Sequence, residues 1–154
     1  MQGVYKLTNT VSAVTAAKTL AYITTHATKP IEIYRVSVSC QDEDTSEQIL
    51  AEFNRIATLG TPTATTVTPK PTEESSSAFG GVAKTNVTAS EPTYDASTAA
   101  IAAFGANKLG GWEYVPLPEE RPIIAANDSV GIRLIDAISV SSDLTVEIVF
   151  REIG

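Results

Sequence analysis

The run Ile31-Glu32-Ile33-Tyr34-Arg35-Val36-Ser37-Val38-Ser39-Cys40 is dense in β-branched residues and predicts one long strand. Its apolar positions, 31, 33, 36 and 38, change parity after Ile33. Side chains along a strand alternate between faces, so a change of parity predicts an extra residue, a bulge near Arg35. The acidic turn Asp42-Glu43-Asp44 follows.

Two later runs carry a cleaner period of two. In residues 129–135, Val130, Ile132 and Leu134 alternate with Gly131, Arg133 and Ile135. In residues 144–150, Leu144, Val146, Ile148 and Phe150 share one face, and Thr145, Glu147 and Val149 share the other. Residues 136–143 separate the two runs, which permits neighbouring strands but excludes a tight two-residue hairpin. Weaker strand patterns occupy residues 3–7 and 19–25. Residues 46–58 read two ways. Ile49, Phe53 and Ile56 have helical spacing, with Thr45 or Ser46 as a cap and Gly60 as a stop. As a strand, Ile49-Ala51-Phe53 line one face and Leu50-Glu52-Asn54 the other.

From Gly60 to Tyr94 the composition shifts to Pro, Thr and Ser, with Pro62, Pro69, Pro71 and Pro92. This predicts a loop excursion over residues 61–94, anchored by Phe79, Val82, Val87 and Tyr94. Beyond it, Gly110-Gly111-Trp112-Glu113-Tyr114-Val115-Pro116-Leu117-Pro118 reads as a glycine turn, an aromatic strand and a proline-defined exit. The helices that parallel crossovers require are missing. The chain therefore reads as all-β: one domain over residues 1–154, an antiparallel two-sheet sandwich, jelly-roll-like, with a long internal excursion. Phe53, Ile132, Leu134, Val146 and Ile148 are expected in its core.

Composition narrows the function. The 154 residues are 43% apolar and only 19% charged, with a formal net charge of −7. The 11 Lys and Arg residues are scattered, which argues against nucleic-acid binding. No stretch reaches the roughly 20 apolar residues of a membrane span, and the amino terminus lacks a signal-peptide pattern, so synthesis in a cytoplasm is expected. Cys40 is the only cysteine and is expected as a packed structural thiol.

Candidate chemistry is sparse. His26 is the only histidine and has no nucleophile-elbow partner, which places it in a turn. Asp42-Glu43-Asp44 lacks the ligand spacing of a calcium loop. Glu113, Glu119 and Glu120 beside Trp112 and Tyr114 suggest a glycosidase or a sugar platform, but sequence does not set the carboxylate separation that hydrolysis requires. The glycines form no phosphate loop. Asn86-Val87-Thr88 and Asn127-Asp128-Ser129 match the glycosylation pattern, which carries weight only in a secreted chain. These readings predict a non-enzymatic protein with no cofactor, no metal and no catalytic residues.

Several segments resemble small tailed-bacteriophage virion structural proteins, jelly-roll-like and capsid-associated. They are Ile33-Tyr34-Arg35-Val36-Ser37-Val38, residues 52–63 from Glu52-Phe53-Asn54-Arg55 through Gly60-Thr61-Pro62-Thr63, the Pro69-Lys70-Pro71 excursion, Gly110-Gly111-Trp112-Glu113-Tyr114, and the closing strand ending in Glu152. The resemblance spans most of residues 4–152. It implies a strand, not a helix, over residues 47–58. It also implies a head-decoration or cement protein of the virion that self-associates and binds a phage capsid or a neighbouring virion component. A closed homo-oligomer is expected, with a trimer favoured, and Phe79, Val82, Val87, Tyr94, Trp112 and Tyr114 as interface candidates. The alternative is a carbohydrate-binding β-sandwich module using Trp112 and Tyr114.

Overall fold

The computed structural model describes residues 3–41, 46–74 and 76–154. In chain order the strands are β1 (Val4–Val14), β2 (Thr19–Thr24), β3 (Ile31–Cys40), β4 (Gln48–Thr58), β5 (Thr63–Val67), β6 (Lys70–Pro71), β7 (Val82–Ala89), β8 (Thr93–Tyr94), β9 (Ala102–Asn107), β10 (Trp112–Tyr114), β11 (Ile123–Ile124), β12 (Ser129–Leu134) and β13 (Ser142–Glu152). A 3-10 turn, Pro118–Glu120, follows β10. The acidic stretch Asp42-Glu43-Asp44 and the cap candidate Thr45 lie outside the described residues.

One sheet has the order β10-β3-β13-β1-β6, with β11 also on β3; the other runs β5-β7-β2-β12-β4-β8, with β9 also on β4. Four antiparallel pairings are nested in sequence: β1 with β13, β2 with β12, β3 with β10, and β4 with β9. This is one long hairpin rolled across two sheets, the connectivity of a jelly roll.

The bulge expected near Arg35 is present: Val149 pairs with Arg35 and Phe150 with Ile33, leaving Tyr34 as the extra residue. It turns Ile31 and Ile33 to the same side as Val36 and Val38, and all four are buried. Leu144, Val146, Ile148 and Phe150 of β13 meet them, each with no exposed surface. Phe53, Ile132 and Leu134 supply the facing layer of this core. Residues 48–58 form a strand with the two faces the alternation gives. Ile49, Ala51 and Phe53 point into the main core, whereas Ile56 belongs to a second cluster on the opposite face. The helical spacing of Ile49, Phe53 and Ile56 thus combines two inward residues with one outward residue. Cys40 ends β3, half-buried against the core and in no disulfide.

The excursion at residues 61–94 is inserted between β4 and the paired strands that follow, and it is built largely of strands. β7 adds to β2, β5 adds to β7, and β6 adds to β1, so the insertion widens both sheets at the same edge of the sandwich. Reaching β5 from β4 means passing β12, β2 and β7, and only residues 59–62 make that passage. They cross the outer face of the second sheet as a strap. Residues 90–92 return the chain to β8 beside β4. Under these crossings Tyr22, Ile56, Val87 and Tyr94 form the second apolar cluster, joined by Leu59 and Ala64.

Candidate interaction surface

At the other edge of the sandwich, β10 and β11 lie end to end along β3. Trp112 and Tyr114 pair with Val38 and Val36, and both are half-buried on one face of the short strand while Glu113 points outward. The Trp112 ring stacks on Phe104 of β9, with centroids 3.5 Å apart and planes 9° from parallel. Tyr114 follows at 6.2 Å from Trp112 in a nearly parallel plane. These rings close the gap between the two sheets where the main core would otherwise meet water. Burial, then the nearby Glu120 carboxylate, raises the pKa of Tyr114, so its hydroxyl stays protonated at neutral pH.

The chain leading from β10 into the first residue of β11 is stiffened by Pro116, Pro118 and Pro122, and it carries the most exposed large apolar side chains of the described residues. Val115, Leu117 and Ile123 are 61%, 63% and 56% exposed. The ridge is held in place from behind. The Arg121 guanidinium lies 4.2 Å over the Tyr34 ring and 3.8 Å from Glu32, and Arg55 donates to the Ile123 carbonyl at 3.1 Å. Glu119 and Glu120 flank it within the 3-10 turn and take part in no salt bridge among the described residues. A fixed apolar ridge rimmed by free carboxylates is suited to contacting another macromolecule.

The outer face of the first sheet is organised differently. Glu147 sits between Lys6, at 2.6 Å, and Arg35, which also reaches Glu113 at 3.5 Å. Burial acting alone would raise the Glu147 pKa, but the hydrogen bonds and charges of Lys6 and Arg35 outweigh it and hold the carboxyl below its ordinary value. Glu32 is shared by Arg151 and Arg121. Many of the few charges on this chain are consumed by one another on this face.

His26 lies in a turn closed by a bridge to Lys29, with its Nδ1 3.0 Å from the Thr28 hydroxyl. No group of three or more His, Cys, Asp or Glu residues that could hold a metal occurs among the described residues. Glu113 is occupied by Arg35 and sits one residue from each aromatic ring of β10.

The six interface candidates separate into three places. Trp112 and Tyr114 belong to the β10 edge. Phe79 caps the opposite end of the core, 4.9 Å from the Phe150 ring and 5.7 Å from Tyr5, whose hydroxyl donates to the Ser77 carbonyl. Val87 and Tyr94 are 1% and 5% exposed and pack in the second cluster of their own chain. The crossings of the excursion cover the second sheet and absorb these anchors internally. Val82 alone of the excursion's anchors stays largely open, at 46%.

Sequence reasoning missed the ridge, because Val115, Leu117 and Ile123 look like ordinary strand and loop residues. The available signal was three prolines around apolar residues too close together to alternate into a core. It also missed Lys108, which is 1% exposed and donates to Ser142 Oγ at 2.7 Å, with Glu47 at 3.9 Å. In sequence Lys108 sits among turn residues and gives no sign of burial. Comparison of the chain with family models, curated proteins and solved structures finds no match.

Proposed function

We propose that this protein is a structural, non-enzymatic virion protein that self-associates and binds a phage capsid or a neighbouring virion component as a decoration or cement protein. The observation that carries this reading is the apolar ridge at Val115, Leu117 and Ile123, exposed yet fixed by Arg121, Arg55 and three prolines. An ordered surface loses little conformational freedom on binding, so more of its buried area converts to affinity. Burying one such side chain contributes about 1–2 kcal/mol. A stable contact covers roughly 800 Å² per partner, so the ridge serves as the centre of a patch that takes in Tyr114, Glu119 and Glu120. The jelly roll supplies a stiff scaffold for it, and the resemblance of residues 4–152 to phage virion proteins supplies the setting.

The sugar-platform reading receives less support. A platform needs an open ring face, and the Trp112 ring stacks on Phe104 at 3.5 Å.

The test is to purify intact particles from an infected host by density gradient and count copies of this protein against the major capsid protein. A fixed ratio that survives high salt supports the reading. Loss of the protein from the particle fraction overturns it.

A further inference from the structure

The strap at residues 59–62 does not lie flush on the second sheet. Between them is a cleft of about 360 Å³, at the small end of the roughly 300–1,000 Å³ typical of small-molecule sites. Tyr22 pairs directly with Lys84, and Thr24 with Val82, so these four side chains rise from the same outer face. Leu59, Thr61 and Pro62 of the strap form the opposite wall.

Two features mark this cleft as a built site. Tyr22 is 2% exposed, yet its hydroxyl has no hydrogen-bond partner among the described residues. The hydroxyls of the other two deeply buried tyrosines are both satisfied, Tyr5 by the Ser77 carbonyl at 2.8 Å and Tyr94 by Thr19 at 3.2 Å. The Tyr22 oxygen is not itself sealed from solvent, so the phenol opens into the cleft as a free donor. The second feature is Lys84. Like Lys18, Arg55 and Lys70, Lys84 has no carboxylate partner among the described residues, and of these cations it is the one that lines the cleft, where it is half-buried.

We propose that the cleft binds a small organic carboxylate with an apolar body, its anionic head on the Lys84 ammonium and the Tyr22 and Thr61 hydroxyls, its body against Leu59, Pro62 and Val82. One cation and two hydroxyl donors match a singly charged, two-oxygen head group. A phosphate would draw a second cation or an arginine fork, and Lys84 is the one cation lining the cleft. Burial raises the Tyr22 pKa, so the group remains a phenol and a donor at neutral pH. This chemistry comes either from a free small acid or from the carboxylate at the end of a peptide chain. The inference goes beyond the virion reading and does not depend on it, because the ridge belongs to the other sheet.

The experiment follows amide NMR shifts of isotope-labelled protein titrated with N-acetyl-leucine, with uncharged N-acetyl-leucinamide, and with an N-acetylated tripeptide ending in leucine with a free carboxylate. The expected result is saturable shifts at Tyr22, Thr61 and Lys84 with the acid, weakened about tenfold or more by the amide and by Lys84→Met. Tyr22→Phe, which keeps the buried ring, weakens binding as well. Tighter binding of the tripeptide assigns the head group to a chain end, and equal binding assigns it to a free acid. Three results overturn the proposal: no saturable shifts at these residues, equal binding of acid and amide, or unchanged binding by a Lys84→Met protein whose remaining spectrum matches the parent.

Discussion

The Tyr94 hydroxyl occupies the space over Gly131 that a β-carbon would fill. Tyr94 reaches this position from β8, on the return crossing of the excursion, and Gly131 lies in the middle of β12. The missing side chain lets the Tyr94 hydroxyl settle against the second sheet, with the Arg133 guanidinium 4.4 Å from the ring centroid and Thr19 accepting or donating at the hydroxyl. Gly131→Ala is therefore expected to destabilise the fold by about 1–3 kcal/mol, the range for overpacking a filled site. Urea unfolding measures it. A loss below about half a kcal/mol would mean that Tyr94 can leave the sheet face freely.

Two backbone positions predict effects of opposite sign. Ala13 has φ +54° at the bulge in β1, where its amide donates to Asp143 Oδ1 at 2.8 Å. Gly60, in the strap, has φ +63° and open space around the position of a β-carbon. L residues pay about 1–2 kcal/mol for this left-handed conformation, and glycine does not. Ala13→Gly is expected to stabilise by about 0.5–1 kcal/mol after its greater unfolded-state entropy is counted, and Gly60→Ala to destabilise by about 1 kcal/mol. Paired thermal melts of the two variants check both signs.

Glu147 predicts an acid limb of stability. Its folded pKa lies below the ordinary glutamate value, because the hydrogen bonds and charges of Lys6 and Arg35 outweigh the cost of burial. A depressed carboxyl pKa means that the unfolded chain binds the proton more readily. The stabilisation is present above the unfolded value and is lost as pH falls through the folded one. Glu147→Gln should flatten the fall in stability below about pH 4.5 and lower stability at neutral pH, with little effect in strong acid. Denaturant midpoints across that pH range are the measurement, and an unchanged acid limb in the variant would assign it to other carboxylates.

The strand content was legible wherever one face met the core. β3, β12 and β13 were read from β-branched density and alternation, and the parity change after Ile33 placed a bulge near Arg35, next to the extra residue Tyr34. The excursion was harder for a physical reason. β5, β6 and β8 are short and lie at sheet edges, where one flank or one face meets water, so their sequence carries little alternation. Val87 and Tyr94 were recognised as anchors, but whether they anchor to this chain or to another depends on where the strap crosses. That is set by pairings between distant residues, such as Tyr22 with Lys84. The burial of Lys108 has the same origin, since its partners Glu47 and Ser142 come from strand neighbourhoods well before and well after it in sequence.

The location of the ridge leads to the final prediction. Val87 and Tyr94 are buried inside their own chain, so polar substitution there would disturb the fold and would not isolate an effect on assembly. Val115 and Leu117 are 61% and 63% exposed, so replacing both with Asp removes no internal packing and is expected to shift stability by under about half a kcal/mol. In an interface the same change buries two charges beside Glu119 and Glu120. Each unpaired buried charge costs several kcal/mol, and even a partial cost weakens association by a factor of about a hundred or more. Sedimentation of the wild type at micromolar concentration is expected to give a closed oligomer, a trimer as the favoured state, and the Val115→Asp, Leu117→Asp double variant is expected to give a folded monomer that no longer enters particles. A wild type that is monomeric at every concentration would remove self-association from the proposal. A double variant that assembles and enters particles as the wild type does would remove the ridge from it.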